Sequence, residues 1–482
     1  MRVLEQLEPK NVLSFFEDLC AIPHGSGNTK AISDYCVKFA ESRGLEVHQD
    51  GLNNVVIVKP ATPGYEAAPT VIVQGHLDMV AEKTPDSPIN FLTDGLELEV
   101  DGDFIRAKGT TLGGDDGIAV AMALAVLDAK DLAHPRLECL FTIDEETGMD
   151  GAVGFDASIL QGKRLLNIDS EEEGILTVSC AGGAHAAVRI PMTANECALD
   201  SAEIRISGLK GGHSGAEIDK GRANATITLG RVLQALVDEL EVRLVSAEGG
   251  LKDNAIPNAA RAVIALEDGK LPRAQEICAE LQDTFRREYA AADPDVTVTF
   301  TPGTVASQAL TLRDTKKVCC FLGLYPNGIE SMSMDIPGLV QTSCNLGIFK
   351  VNGSGLEGSG SVRSSIASRK QLLLRRIGLL AEGLDGTLNI SGTYPAWEYR
   401  RESHLRDVMC KVYKDQYGQD MKVEAIHAGL ECGLFCGKIP GLDAVSFGPN
   451  LYDIHTVKEH MSISSVQRVY AYLCAVLQAL KD

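Results

Sequence analysis

The sequence predicts an α/β protein whose first domain is interrupted by an inserted α+β segment. Three observations carry that expectation. Strand-length apolar runs at 71–80, 137–143 and 164–168 each stop and deliver a histidine or acids, as in an open sheet that carries its site at the carboxyl ends of its strands. From about residue 186, segments such as AEIRISGLKGG and ARAVIALEDG replace those runs and read as an α+β insertion rather than more parallel sheet. Near Gly392 the earlier character returns, with the amphipathic HLRDVMCKVYKDQYG and the apolar DAVSF. The expected domains are therefore 1–185, 186–393 and 394–482, the first and last forming one body.

The elements are taken in chain order. Val12, Phe15, Phe16 and Leu19 share one helix face, and Ile32, Tyr35, Cys36 and Phe39 share another. His24 sits in the loop between them and reads as a solvated or structural histidine. Residues 45–59, with NNVVIVK at their heart, read as a strand pair. The run VIVQGHLDMV ends in His76 and Asp78. In GTTLGGDDGIA, Gly113 and Gly114 permit a tight turn and Asp115 and Asp116 arrive just before the apolar helix IAVAMALAVL; Asp116 alone reads as a cap. LECLFTI ends in Asp144, Glu145 and Glu146, and the run from Arg164 ends in Asp169. In the insertion, His213 lies in the Gly-flanked loop GLKGGHSGAEI. GSGLEGSG has the glycine spacing of a dinucleotide fingerprint, but no helix opens at its third glycine, so it reads as a flexible hairpin or loop. The last core strand, DAVSFGPN, is followed by His455, and a terminal helix presents Val466, Val469, Tyr470, Leu473, Val476, Leu477 and Leu480 on one face.

Composition narrows the function classes. The chain has 482 residues, 45% of them hydrophobic, enough for about three domains. No run approaches the ~20 apolar residues of a bilayer span, and MRVLEQLEPKNV has no apolar stretch behind its charges, so no membrane partner and a cytoplasmic location are expected. Thirteen cysteines without a repeated spacing fit reduced thiols. A formal net charge of −21 argues against a nucleic-acid partner and suits attraction of cations.

Singly, each acid reads as a cap or a solvated turn. Together, His76, Asp115, Glu145, Glu146, Asp169 and His455 all follow apolar runs or open a helix. Two histidines with carboxylates and no thiolate suit zinc, manganese or cobalt. Two metals ~3.5–4 Å apart, bridged by one carboxylate, would use the set fully and activate a water toward a carbonyl, which makes hydrolysis the reaction class. Asp78, two residues along the strand from His76, is on the same side to orient it. One of the paired glutamates must stay free to take the water's proton.

GHLDMV, GTTLGGDDGIA, TIDEETGM, NIDSEEEG, the GGHSG loop, HAGLECGLF and His455 resemble, in order, the M20 metallopeptidase family in its aminoacylhistidine dipeptidase branch. The resemblance implies a di-zinc catalytic domain of the phosphorylase/hydrolase-like kind, with a mixed central sheet, and a lid domain used for homodimerisation. It implies two Zn2+ per subunit, replaceable by Mn2+ or Co2+, and a dipeptide substrate. Residue by residue, it implies His76 and Asp169 as ligands of one metal, Asp115 as the bridge, Glu146 and His455 as ligands of the other, Glu145 as general base and Asp78 as the acid orienting His76. His213 matches a lid histidine that stabilises the tetrahedral oxyanion. Arg363 is the candidate for the substrate's carboxylate, and Glu431 for its amino group or for positioning. The sequence departs from the family pattern at Gly114, where alanine is usual, and in HTVKE around His455, where Glu459 keeps its spacing. The implied activity is hydrolysis of unblocked dipeptides, Xaa-His among them. An N-acyl amino acid deacylase or a tripeptidase on the same scaffold is the alternative, and a silent dimeric metal-binding protein is the reading from another class.

Overall fold

Strand formation follows the apolar runs. In the computed structural model, which describes residues 2–481, the main sheet of the first unit comprises β1 (Glu46–Gln49), β2 (Val55–Lys59), β3 (Val71–His76), β4 (Leu137–Thr142), β5 (Arg164–Asn167), β6 (Ile175–Cys180), β7 (Lys422–Ile426) and β8 (Asp443–Ser446). They lie in the order β1-β2-β4-β3-β5-β8-β6-β7. The central neighbours β4, β3, β5 and β8 are parallel, whereas β1 and β2 run antiparallel at one edge. Every residue of β3 and β4 is buried, which is why these runs are mainly apolar rather than alternating, with Gln74 and Glu138 as buried polar residues within them. Their carboxyl ends lie side by side, so the residues just beyond each strand are delivered to one place.

Helices α1 (Lys10–Cys20), α2 (Lys30–Ser42) and α3 (Gly114–Asp128) supply packing. α1 and α2 bury the expected stripes through Val12, Phe16, Leu19, Ile32, Cys36 and Phe39. α3 is apolar all round and buried from Gly117 to Leu127, as a helix inside a core must be. It lies close enough to β3 that a Cβ on Gly75 would stand 2.8 Å from Ala119 Cβ and 2.6 Å from Asp116 Oδ2, so the close approach requires glycine there. The acidic stretch around residue 100 forms a hairpin, Leu98–Asp101 with Phe104–Ala107, that joins Leu451–Tyr452 and His460–Ser462 in a four-stranded sheet.

The second unit is a ten-stranded sheet whose strand pairs are antiparallel. The helices Ala225–Glu239, Leu271–Glu288, Leu312–Leu324 and Ala367–Gly383 belong to it, and all four share its apolar core through Leu229, Ile277, Phe321, Ile377 and their neighbours. This is the expected α+β insertion. The division falls at Ser179/Cys180 and Glu398/Tyr399, against 185/186 and 393/394 read from sequence, and Ile426–Gly429 also belongs to the second unit. The first shift arises because the strand Gly182–Pro191 pairs along its whole length within the second sheet. The glycine-rich run is a hairpin, as one of its two readings had it, and not a loop: Gly353 and Ser354 make the turn after Asn352, and the remaining residues lie in the strand Gly355–Ser364. Glycine is required there by crowding, since a Cβ on Gly358 would stand 2.8 Å from Phe321 Cζ and one on Gly360 2.2 Å from the Asn345 carbonyl oxygen.

Candidate metal centre

In the first unit, the six residues at strand ends or at the head of a helix converge. His76 is the last residue of β3, Glu145 and Glu146 begin the helical turn after β4, and Asp169 lies two residues past β5. Asp115 has extended backbone at the head of α3 (φ −85°, ψ 102°), ahead of its regular turns. Its two oxygens point to different histidines: Oδ1 is 3.2 Å from His76 Nε2 and Oδ2 is 3.1 Å from His455 Nε2. His76 Nε2 also stands 3.9 Å from Asp169 Oδ1, and His455 Nε2 stands 3.0 Å from Glu146 Oε1. Asp115 thus joins two half-sites, His76 with Asp169 and His455 with Glu146. His455 has φ 60°, the left-handed region that a non-glycine residue rarely adopts, and it is the surrounding fold that holds it there.

The donor set fits cations. Among the described residues, His76, Asp116 and Asp169, then His76, Glu145 and Glu146, and then Asp115, Glu146 and His455 form groups whose ligand atoms lie within 4.8 Å of one another. Asp169 Oδ2 is buried without a hydrogen-bond partner among those residues, and Glu146 Oε1 is close to His455 without hydrogen-bond alignment. Buried carboxylate oxygens left so are costly unless a cation satisfies them.

The electrostatics of the cluster arise from burial and crowding. Burial pushes Glu145 up to about 8, His76 pulls it back, and Glu431, Glu146 and Asp115 add to the rise. A carboxyl poised there suits a proton acceptor working near neutrality. Burial disfavours the charge on Asp115, yet His455 and His76 beside it hold it well below the usual carboxylate range. In return Asp115, and then Glu146, hold His455 up at about 10. His76 is raised although burial opposes it, because Asp115 and Asp78 outweigh the burial.

Three buried acids hold the presenting segments. Asp78 Oδ1 is 3.4 Å from His76 Nδ1, which also faces the Asp78 carbonyl at 3.0 Å. The same carboxylate accepts from the Glu145 amide at 3.0 Å, the Glu146 amide at 3.4 Å and Ser26 Oγ at 2.8 Å, so it sets the histidine and the glutamate pair together. Glu459, 3% exposed, accepts from the amides of Leu112, Gly113, Gly114 and Asp115 at 2.7, 3.2, 2.8 and 3.4 Å; in the sequence only its spacing stood out. Glu431 is fully buried, its Oε2 accepting from Gln74 Nε2 at 2.6 Å and Thr142 Oγ1 at 2.7 Å. It ties the ends of β3 and β4 beneath the site. His24 is buried rather than solvated, its Nδ1 2.6 Å from the Ile22 carbonyl, and burial lowers its pKa.

His213 and Arg363 lie in the second unit and converge on Gly215, where a Cβ would stand 3.0 Å from His213 Cε1 and 3.2 Å from Arg363 Nε. His213 Nδ1 accepts from the amides of Gly215 at 3.2 Å and Ala216 at 3.0 Å. The ring proton is thereby assigned to Nε2, which makes it a hydrogen-bond donor. Burial and then Arg363 lower the His213 pKa, keeping the ring neutral. Two neighbours went unread in the sequence: Tyr394, whose hydroxyl accepts from Arg363 Nη1 at 3.0 Å, and His427, whose Nε2 pairs with Ser343 Oγ at 2.7 Å. HAGLECGLF contained His427, but nothing local marks it as a partner of Ser343.

The model of peptidase family M20/M25/M40 matches residues 72–479. The chain is 34% identical over 482 residues to the cytosol non-specific dipeptidase of Escherichia coli (strain K12), covering 100% of this chain and 99% of that protein. Among solved structures, the aminoacylhistidine dipeptidase from Vibrio alginolyticus matches with a TM-score of 0.95 at 36% identity, over 99% of this chain and 98% of that one. The aminopeptidase PepT from Bacillus cereus ATCC 10987 matches with a TM-score of 0.56 at 15% identity, over 99% of this chain and 100% of that one, a likeness of fold alone.

Proposed function

The chain belongs to peptidase family M20/M25/M40, and from that premise we propose that it hydrolyses the peptide bond of unblocked dipeptides, Xaa-His among them. The observation that carries the reading is Asp115 standing between His76 and His455 with Glu145, held by burial at about 8, beside them. Bound to this donor set, two Zn2+ ions, or Mn2+ or Co2+ in their place, would lower the pKa of water and polarise the substrate carbonyl.

The chain's own residues do the rest. His76 and Asp169 would hold one metal, Glu146 and His455 the other, with Asp115 between. Glu145 takes the proton of the attacking water and passes it to the leaving amine. Asp78 keeps His76 and the Glu145 amide in register, so the ligand and the base cannot drift apart. His213, with its Nε2–H available, is the proposed donor to the oxyanion, and Arg363 the proposed partner of the substrate's carboxylate. For Glu431 the positioning role is favoured over contact with a substrate amine, because one of its oxygens is already taken up by Gln74 and Thr142. Homodimerisation through the second unit and a cytoplasmic location complete the proposal. Among the described residues no helix is long and apolar enough to cross a membrane.

The test is product analysis by mass spectrometry after incubating zinc-loaded protein with Ala-His, β-Ala-His, Gly-Leu, a tripeptide and N-acetyl-Ala, beside a chelator-treated control. Chelator-sensitive cleavage confined to dipeptides is expected. Cleavage of N-acetyl-Ala alone would make it a deacylase, and no cleavage at all a silent binder.

A further inference from the structure

Four strands of the second unit share one rung: Tyr394 lies opposite Gly183, Gly183 opposite Arg363, and Arg363 opposite Ser343. Residues on a rung project from the same face. Tyr394 and Arg363 are two strands apart, roughly 10 Å at the usual spacing, so a side chain on the intervening strand would keep them from meeting. Glycine at 183 removes that side chain. The phenol lies directly over it, and a Cβ on Gly183 would stand 2.4 Å from Tyr394 Cζ and 2.5 Å from its hydroxyl.

The tyrosine is held on every side. A Cβ on Gly429 would be 2.8 Å from Tyr394 Cε2, so the ring fits between two glycines. Its carbonyl and that of Gly183 both accept from Lys370 Nζ, a lysine only 3% exposed. The hydroxyl meets Arg363 Nη1 at 3.0 Å, while Arg363 Nε is buried without a hydrogen-bond partner among the described residues. A guanidinium with one edge fixed and donors to spare can offer a planar fork to a carboxylate.

We propose that Tyr394, reaching across Gly183, is the positioning residue that sets the Arg363 guanidinium for the carboxylate of the dipeptide. The inference rests on the assignment of Arg363 as the carboxylate's partner and deepens it. Tyr394 acts through Arg363; what it contributes is a fixed fork rather than a new charge. Affinity for a free carboxylate should therefore depend on the hydroxyl, while the chemical step should not.

The experiment compares steady-state kinetics of full-length, metal-loaded protein on Gly-Leu and on its C-terminal carboxamide. Tyr394→Phe removes one oxygen and keeps the ring in its slot. It is expected to raise KM for Gly-Leu about tenfold, the usual scale for a hydrogen bond to a charged group, with kcat within about twofold and no change on the carboxamide. Gly183→Ala, which keeps the hydroxyl but displaces it, is expected to do the same. Arg363→Met should abolish the preference for Gly-Leu, and adding Tyr394→Phe to it should change nothing further. An unchanged KM in Tyr394→Phe, or an equal loss of kcat on both substrates, overturns the inference while leaving Arg363 in place. A preference that survives Arg363→Met overturns the carboxylate assignment and the inference with it.

Discussion

Glu459→Gln isolates the clamp on the Asp115 loop from the metal ligands themselves. In the native chain each carboxylate oxygen takes two amides: Oε2 those of Leu112 and Gly113, Oε1 those of Gly114 and Asp115. The amide side chain turns one acceptor into a donor and faces it against two N–H groups. A buried donor left without an acceptor costs about 1–3 kcal/mol, and of each pair one bond is short and one long, so the loss should be about 2–4 kcal/mol. In a unit of this size that lowers the thermal midpoint by about 5–15 °C. Because the Asp115 amide is one of the four, metal affinity should fall about 10–100-fold. Calorimetry of the chelated protein and competition against a chromogenic chelator measure the two effects. Both belong at pH 8 or above, since burial pushes Glu459 up to about 7 and the carboxyl must be ionised for the comparison. A variant with native midpoint and native metal affinity would refute the clamp.

The remaining predictions concern the base, the oxyanion donor, proton linkage and packing. Glu145→Gln should keep fold and metal content while turnover falls by about 10²–10⁴; unchanged turnover removes Glu145 as the base. His213→Ala should cost about 10²–10³ in kcat with metal content unaltered, and a loss confined to KM would end its assignment to the oxyanion. In chelated protein, Glu145 rises from an ordinary 4.5 to about 8 and His455 from 6.5 to about 10. In both cases the folded state binds more protons than the unfolded one between the two values, so stability falls as pH rises through that window. Thermal midpoints of chelated protein should therefore drop between pH 6 and 10, and a flat profile would contradict the linkage. Gly75→Ala forces a methyl to within 2.8 Å of Ala119 Cβ and should destabilise by about 1–3 kcal/mol, read as a lower denaturant midpoint; an unchanged midpoint would show that α3 can retreat.

What could be read from the sequence was what is encoded locally. The apolar runs of β3, β4 and β5 and the acids just after them are contiguous in sequence, so the location of His76, Glu145, Glu146 and Asp169 at strand ends came from the runs and where they stop. The stripes of α1, α2 and the terminal helix were legible from helical periodicity, which is equally local. Partners distant in sequence were not. Glu459 grips an amide 347 positions away, and nothing near Glu459 records that. His24 looked like a loop histidine because loop composition says nothing about what covers a loop. In the second unit, alternation revealed strands but not register, and the Tyr394–Arg363 pair exists only through register. GSGLEGSG was legible as a hairpin, but its glycines read as flexible where they are crowded, because glycine marks both conditions alike.

Asp115 and His455, the proposed bridge and the last of the proposed ligands, are 340 positions apart, which places a time order on the assembly of the cluster. His76, Asp115, Glu146 and Asp169 have all left the ribosome soon after β5, and His455 waits for the final strand and its loop. Closing so long a loop carries an entropic cost before any ligand bond repays it, and contacts this distant slow folding. A partly synthesised chain therefore carries His76 and the acids but lacks the histidine that faces Asp115 from the other side.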